Sequence, residues 1–305
     1  MNVGLLNLLN GVLGSYTRKT GDNYAFHCPF CNHPKKKLEI HLVSHKWSCW
    51  VCSAKGRKLH TLFKRVNANQ EQLQQLSQYV PKTFIPTKEE KTNISLPKQF
   101  IPLWEERPKD FLWNTCVEYL QSRGVYMCDI QKYRLGYCED GTYKDMIIFP
   151  NYNRYGQLNY FTTRSFLRNS STKFRNPPHS KNVIGFELQV NWNLPVVIVE
   201  SALDAITIGN NSIPLYGKII PKRLKEKILT SDVSKLYVAL DSDARNDAVE
   251  HCRYFMNSGI EVYLVDLPNG ADPNSLGRKR IRELIDHSEM MVEDNLFELQ
   301  IKSLL

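Results

Sequence analysis

The chain has 305 residues, 42% hydrophobic and 23% charged, with a formal net charge of +9 at pH 7. These totals exclude a disordered chain and allow two or three domains. The basic excess favours a polyanionic partner, nucleic acid or an anionic membrane surface. No run reaches the roughly 18 apolar residues of a spanning helix, so no membrane segment is expected.

The first stretch, Met1 to Tyr24, lacks a basic region ahead of its apolar residues and a clean small-residue cleavage site. It reads as a folded helix over Val3 to Val12 rather than a signal peptide. Cys28-Pro-Phe-Cys31 and Cys49-Trp-Val-Cys52 follow, two pairs separated by 17 residues. Four soft thiolates presented from two turns suit tetrahedral Zn²⁺, and the alternating stretch Leu38 to Val43 between them suits the strands of a zinc ribbon. A module this short buries little surface, so the metal should largely supply its stability. The other cysteines, Cys116, Cys128, Cys138 and Cys252, are scattered, which suits a reducing compartment. With four thiolates available, His27, His33, His41 and His45 read as surface or nucleic-acid-contacting residues rather than ligands. About half of Phe26, Phe30, Trp47 and Trp50 should be core. Lys35, Lys36, Lys37, Lys46, Lys55, Arg57 and Lys58 make the module basic, a composition that suits single-stranded nucleic acid.

A helix at Leu59 to Val66 closes this domain, placed at residues 1–66. Residues 67–102 are polar, rich in glutamine and broken by Pro81, Pro86, Pro97 and Pro102. They read as a linker carrying a short helix at Glu71 to Tyr79. Residues 103–193 form an α+β region: helices at Phe111 to Arg123 and Ile130 to Leu135, strands at Asp145 to Pro150 and Leu158 to Thr163. Further strands are expected around Lys173-Phe174 and Val183-Ile184. Its cations, Arg164, Arg168, Lys173, Arg175 and Lys181, have little acid between them and could hold a triphosphate or a nucleic-acid backbone.

Residues 194–274 carry three short apolar runs separated by helix-length segments, the pattern of buried parallel strands. Val196 to Val199 ends in Glu200, Leu236 to Leu240 ends in Asp241-Ser242-Asp243, and Val262 to Val265 ends in Asp266. Helices are expected toward Gly209, at Pro221 to Leu229 and from Asn246 to Asn257. The remainder, 275–305, reads as mostly helical.

Open α/β sheets place their chemistry at such strand ends. Glu200, Asp241 and Asp243 can share one or two hard divalent ions, and oxygen donors favour Mg²⁺ or Mn²⁺ over zinc. Such ions orient and activate an attacking hydroxyl and neutralise a transferring phosphoryl group. Asp241 and Asp243 point the same way if the strand stays extended, and Glu200 and Asp204 share a face if a helix starts at Glu200.

Val199-Glu200-Ser-Ala-Leu-Asp204-Ala, Ala-Leu-Asp241-Ser-Asp243 and Asp272-Pro273 resemble the Toprim domain of bacterial-type DNA primases, topoisomerases and some nucleases. The cysteine module resembles the zinc-binding domain of bacterial and bacteriophage primases. Arg134-Leu-Gly-Tyr137, Ile148-Phe-Pro150 and Lys173-Phe-Arg-Asn-Pro177 resemble the basic subdomain of the primase RNA-polymerase core. The resemblance implies a multidomain α+β chain: zinc ribbon, basic subdomain, Toprim domain and a short helical C-terminal region. It implies Cys28, Cys31, Cys49 and Cys52 as zinc ligands, and Glu200 as metal ligand or general base. Asp241 and Asp243 would be the main Mg²⁺ ligands and Asp204 and Asp272 supporting acids. Arg164, Lys173 and Arg175 would lie near the nucleotide or template.

The implied activity is a DNA-directed RNA polymerase making short primers from ribonucleoside triphosphates on single-stranded DNA, through an RNA–DNA hybrid. Lacking a P-loop, the chain would work with a separate replicative helicase, in the cytoplasm of a bacterium or phage-infected host. The other readings are a primase-like binding factor that recruits helicase, and a Toprim nuclease. Ser201, Ser242, Asn246 and Asn274 depart from the family pattern, which has glycine at the first three positions and aspartate at the fourth.

Overall fold

The computed structural model describes residues 3–56, 58–80, 94–105, 110–167, 169–209, 211–231, 233–256, 258 and 260–292. The chain divides into two compact units, Met1–Pro86 with Arg253–Glu261, and Thr87–Cys252 with Val262–Leu305.

The first unit begins with α1 (Val3–Leu13). Five short strands follow, β1 (Thr17–Arg18), β2 (Asn23–Phe26), β3 (Leu38–His41), β4 (Trp47–Cys49) and β5 (Lys55–Gly56), paired antiparallel in sequence order. Two helices follow, α2 (Leu59–Arg65) and α3 (Gln70–Tyr79). Alternation puts Leu38, Ile40, Trp47 and Cys49 on the buried face of the ribbon. There they join Leu5, Leu9, Leu62 and Phe63 in one core. Of the four aromatics of this module, Phe26 and Trp47 are buried, whereas Trp50 is 70% exposed.

Both ends of the stretch read as a linker are folded. Asn69 caps α3 with a reciprocal capping box to Gln72, and Leu76 on its inner face is fully buried in the core that contains α1. Helical spacing of Leu73, Leu76 and Val80 supplies that apolar stripe within a glutamine-rich sequence. At the other end, β6 (Phe100–Pro102) joins a sheet of the second unit. Residues 81–93 lie outside the described residues.

The second unit continues with α4 (Phe111–Ser122), capped by Asp110, and α5 (Met127–Tyr133). Then come β7 (Gly136–Cys138), β8 (Met146–Tyr152) and β9 (Leu158–Ser165), forming an antiparallel sheet in the order β6-β7-β8-β9. No strand forms at Lys173-Phe174 or Val183-Ile184, contrary to expectation. Isolated bonds replace a ladder there. Ser165 N–H donates to the Lys173 carbonyl, Thr163 Oγ1 to the Arg175 carbonyl, and Asn151 Nδ2 to the Ile184 carbonyl.

A second sheet follows: β10 (Val196–Val199), α6 (Ala202–Ile208), β11 (Ser212–Pro214), α7 (Lys222–Thr230), β12 (Lys235–Val238), α8 (Arg245–Met256) and β13 (Glu261–Leu264). The strand order is β11-β10-β12-β13, with β10 parallel to both β11 and β12. All four side chains of β10 are buried, as expected of a central parallel strand. The last helix, α9 (Pro273–Asp286), starts with Asp272 as cap and Pro273 in its first turn, and kinks at Gly277, where φ is +76°. Val197, Val199, Ala205, Ile206 and Ile281 share a core with Leu120, Ile130, Tyr137 and Phe149.

Asn257, Gly259 and the helix expected over 296–305 fall outside the described residues. Among the described residues no helix is long and apolar enough to cross a membrane.

Candidate active site and metal centres

In the first unit, the two Cys-x-x-Cys turns converge. One sulfur from each of Cys28, Cys31, Cys49 and Cys52 lies within 4.8 Å of the others, with Cys28 Sγ 3.7 Å from Cys52 Sγ and Cys31 Sγ 3.9 Å from Cys49 Sγ. Four sulfurs about 2.3 Å from one ion stand about 3.8 Å apart at the corners of a tetrahedron. All four are free thiols. Each knuckle is closed by a backbone bond, Asn32 N–H to the Cys28 carbonyl and Cys49 N–H to the Ala54 carbonyl. Asn32 and Ser53 take left-handed φ of 47° and 59° just after the second cysteine of each pair.

Burial pushes the Cys28 thiol up to about 12. At Cys49 burial acts the same way, but the backbone amides of Cys52 and Val51 and the neighbouring thiols outweigh it and bring the group down to about 7. The set fits one thiolate-bound metal ion. No histidine of the module joins the cluster among the described residues.

In the second unit, β10 and β12 are parallel neighbours, so the residues that follow them emerge at one edge of the sheet. Glu200, Asp241 and Asp243 each place a carboxylate oxygen within 4.8 Å of the others. The route differs from the expected one. β12 ends at Val238, and Ser242–Ala244 form a 3₁₀ turn, so the turn and not strand alternation brings Asp241 and Asp243 together. Ser242 secures that turn: its hydroxyl accepts from Gly270 N–H at 2.8 Å, and its own N–H donates to the Ala271 carbonyl.

Nor does a helix start at Glu200. Ser201 is the cap of α6, its hydroxyl 2.5 Å from Asp204 Oδ2, which also accepts from Ser201 N–H at 3.1 Å. Asp204 Oδ1 accepts from Asn274 N–H at 3.0 Å. Both oxygens of this 2%-exposed carboxylate are therefore engaged. Asp272 is likewise engaged, accepting from Ser275 N–H at 2.7 Å.

Glu200 Oε1 and Asp241 Oδ1 are buried and lack hydrogen-bond partners. Buried polar atoms normally find one. Two orphaned carboxylate oxygens beside a third carboxylate fit a hard cation, which would satisfy both. Burial, reinforced by the neighbouring acids, raises Asp241 to about 7, and burial raises Asp204 to about 6. Glu200 is raised as well, by burial first, although Lys218 opposes the shift.

A cavity of about 410 Å³ opens beside these acids. Glu200, Asp204, Asp241 and Asp272 are among the residues that line it. Arg123, Arg164, Asn176 and Lys181 line it too, and the Arg164 guanidinium sits 4.7 Å from the centroid of the Phe174 ring. Arg164 Nε donates to Tyr119 Oη at 3.0 Å, and Lys181 Nζ to the Tyr216 carbonyl at 2.7 Å. Lys173 and Arg175 are exposed and do not line the cavity; Arg175 Nη1 donates to the Thr142 carbonyl at 2.5 Å. Arg168 lies outside the described residues.

Sequence reasoning passed over Arg123, Asn176 and Lys218 as site residues. Arg123 stood at a helix end, Asn176 lay within the Lys173-Phe-Arg-Asn-Pro177 motif without a role of its own, and no spacing rule links Lys218 to the acids 18 and 25 positions away.

Fold and donor sets together define a class of chain: a four-cysteine ribbon joined to an α+β core with a carboxylate cluster at the strand ends of a parallel sheet. The comparisons name the group of proteins that shares this build, the bacterial DNA primases. The chain is 24% identical to the DNA primase of Aquifex aeolicus over 93% of its own length and 66% of the relative's. To that of Clostridium acetobutylicum it is 21% identical, over 87% and 54%. It thus spans about half to two thirds of the length of these curated relatives. No protein-family model matches.

Among solved structures, the zinc-binding and RNA-polymerase domains of the Aquifex aeolicus primase superpose with a TM-score of 0.52 at 18% identity. They cover 95% of this chain and 84% of that one. A primase catalytic domain bound to single-stranded DNA superposes at 0.53 and 17%, over 65% and 77%. These likenesses fix the fold as that of a bacterial primase's zinc-binding and polymerase domains.

Proposed function

We propose that the chain is a DNA primase that synthesises short RNA primers on single-stranded DNA. The observation that carries this reading is the composition of one cavity: Glu200 and Asp241, each with an orphaned carboxylate oxygen, line it together with Arg123, Arg164 and Lys181. Cations that share a cavity with a hard-ion site suit a polyphosphate bound through both. The curated relatives are DNA primases, and one structural neighbour holds single-stranded DNA.

In this reading residues 1–66 are the zinc-binding domain, 103–193 the basic subdomain, 194–274 the Toprim domain and 275–305 a helical C-terminal region, with 67–102 connecting the first two. Cys28, Cys31, Cys49 and Cys52 hold one structural Zn²⁺. Glu200, Asp241 and Asp243 would hold Mg²⁺ or Mn²⁺, which when bound would supply activation of a 3′-hydroxyl and charge neutralisation at the transferring phosphoryl group. Asp204 and Asp272, committed to the caps of α6 and α9, hold the first acid and the cavity wall in place. Arg164, steadied by Tyr119 and Phe174, orients the triphosphate of the incoming ribonucleotide. Bound there, the triphosphate presents its α-phosphate to the 3′-hydroxyl and pyrophosphate leaves. Lys173 and Arg175, on the exposed strap beside β9, face the template or the RNA–DNA hybrid. A separate helicase would present the DNA, in the cytoplasm of a bacterium or a phage-infected cell.

The test is incubation of the full chain with single-stranded DNA, ribonucleotides and Mg²⁺, repeated with the cognate helicase. Template-dependent oligoribonucleotides that disappear in Asp241→Ala are expected. DNA shortening, or binding without synthesis in both formats, would overturn the reading.

A further inference from the structure

One cation stands at the exposed edge of the acidic cluster. Lys218 Nζ lies 2.9 Å from Asp243 Oδ2, and its charge also acts on Glu200 and Asp247. The backbone beneath it is pinned on several sides. Leu215 N–H donates to the Val199 carbonyl and Gly217 N–H to that of Glu200. Lys181 Nζ binds the Tyr216 carbonyl, and buried His251 donates from Nε2 to the carbonyl of Lys218 itself at 2.8 Å. Gly217 takes a φ of +151° beside the cavity, a conformation open to glycine.

The backbone is thus held on several sides, while the side chain, 39% exposed, is paired with Asp243. An ammonium on a flexible four-carbon stem suits a group with two stations. At one it neutralises the carboxylates. At the other it would face anions held in the cavity that Gly217 lines.

We propose that Lys218 is a resident counter-ion of the Glu200–Asp241–Asp243 cluster, giving way to a divalent cation and then binding the anionic oxygens of a polyphosphate that enters the cavity lined by its neighbour Gly217. The inference rests on the reading of those three acids as a divalent-cation site. An ammonium and a metal ion compete for Asp243, so Lys218 lowers the affinity of the empty cavity for metal. Once a polyphosphate arrives with the metal, the same charge is attractive rather than competing. Lys218 therefore couples metal retention to the presence of the phosphate ligand, which disfavours idle occupation of the site by metal alone.

The experiment uses the full chain as wild type, Lys218→Met, Lys218→Arg and Asp241→Asn, with Mn²⁺ affinity read by calorimetry and electron paramagnetic resonance, with and without inorganic pyrophosphate. Lys218→Met should bind Mn²⁺ alone about three- to tenfold more tightly, because a like charge a few ångströms from the ion is gone. The same variant should bind pyrophosphate in the presence of Mn²⁺ about tenfold more weakly. Lys218→Arg should stay within about twofold of wild type in both. A purely structural role would not move the two affinities in opposite directions.

Equal Mn²⁺ affinity in wild type and Lys218→Met, or unchanged pyrophosphate affinity, overturns the counter-ion role. Those results leave the metal site intact if Asp241→Asn abolishes Mn²⁺ binding. Absence of Mn²⁺ binding in wild type overturns both.

Discussion

The backbone N–H of Asn274 donates to Asp204 Oδ1 at 3.0 Å, joining the first turn of α9 to the first turn of α6 across 70 residues. The side-chain amide of Asn274 completes the junction, donating to the Arg123 carbonyl and to Thr207 Oγ1, each at 2.7 Å. Two acceptors thus face Asn274 Nδ2, while its Oδ1 is buried without a hydrogen-bond partner.

Asn274→Asp would turn a donor into an acceptor against those two oxygens and place a second buried carboxylate beside Asp204. A loss of about 2–4 kcal/mol is expected near pH 8, and less near pH 5, where the new acid can take up a proton. Urea unfolding at the two pH values measures it. An unchanged midpoint at pH 8 would show that the amide is not needed as a donor.

Metal-free protein should lose stability as pH rises. Asp241 and Asp204 titrate at about 7 and about 6 in the folded chain, above the ordinary carboxylate range of roughly 4. Between these values the folded state binds more protons than the unfolded one, so the stabilisation is complete below about pH 4 and disappears as pH passes through the folded values. With zinc retained and no other divalent ion added, melting of the second unit should fall by about 2–4 °C from pH 5.5 to 8 beyond any drift shared with Asp241→Asn. Mg²⁺ at pH 8 should restore it. A profile identical in Asp241→Asn would contradict this account.

Removing one thiolate should cost the first unit its fold. Its core is small, and a structural zinc supplies on the order of 10 kcal/mol in such modules. Cys49→Ala is expected to lower zinc content from one ion per chain toward zero and to open the residues around Trp47 to trypsin, while the second unit remains protected. Full zinc occupancy in that variant would exclude the four-cysteine site.

Tyr119→Phe should act through Arg164. The phenol accepts the Arg164 Nε hydrogen bond at 3.0 Å, and without it the guanidinium keeps only its stacking on Phe174. A rise of about three- to tenfold in KM for ribonucleotides is expected, with melting shifted by less than about 2 °C. Arg164→Met should lower kcat/KM by about a hundredfold or more. Steady-state primer synthesis separates the two, and equal effects of both variants would argue against a positioning role for Tyr119.

Much of the site was legible before the fold. Two Cys-x-x-Cys pairs announce a thiolate site because ligand type and local spacing alone define a knuckle. Apolar runs ending in Glu200 and in Asp241-Ser-Asp243 announce acids at strand ends because buried parallel strands leave a periodicity of their own. Less legible were the irregular segments. Lys173-Phe174 and Val183-Ile184 have strand-like composition, yet side-chain and isolated backbone bonds hold them, a choice made by partners such as Asn151 and Thr163 that lie elsewhere in the chain.

From sequence alone came the donor types, their local spacing and the order of ribbon, basic region and acidic sheet, all properties of contiguous residues. Tertiary structure decided which donors meet. Parallel pairing of β10 with β12 brings Glu200 to Asp241 and Asp243, while helix capping engages Asp204 and Asp272. Arg164 faces the cavity and Arg175 turns to Thr142. Lys218 reaches Asp243 because β10, β11 and β12 stand side by side, so the loops that follow them share one edge. Spacing along a chain governs contacts within one element; contacts between elements depend on strand order and turn geometry.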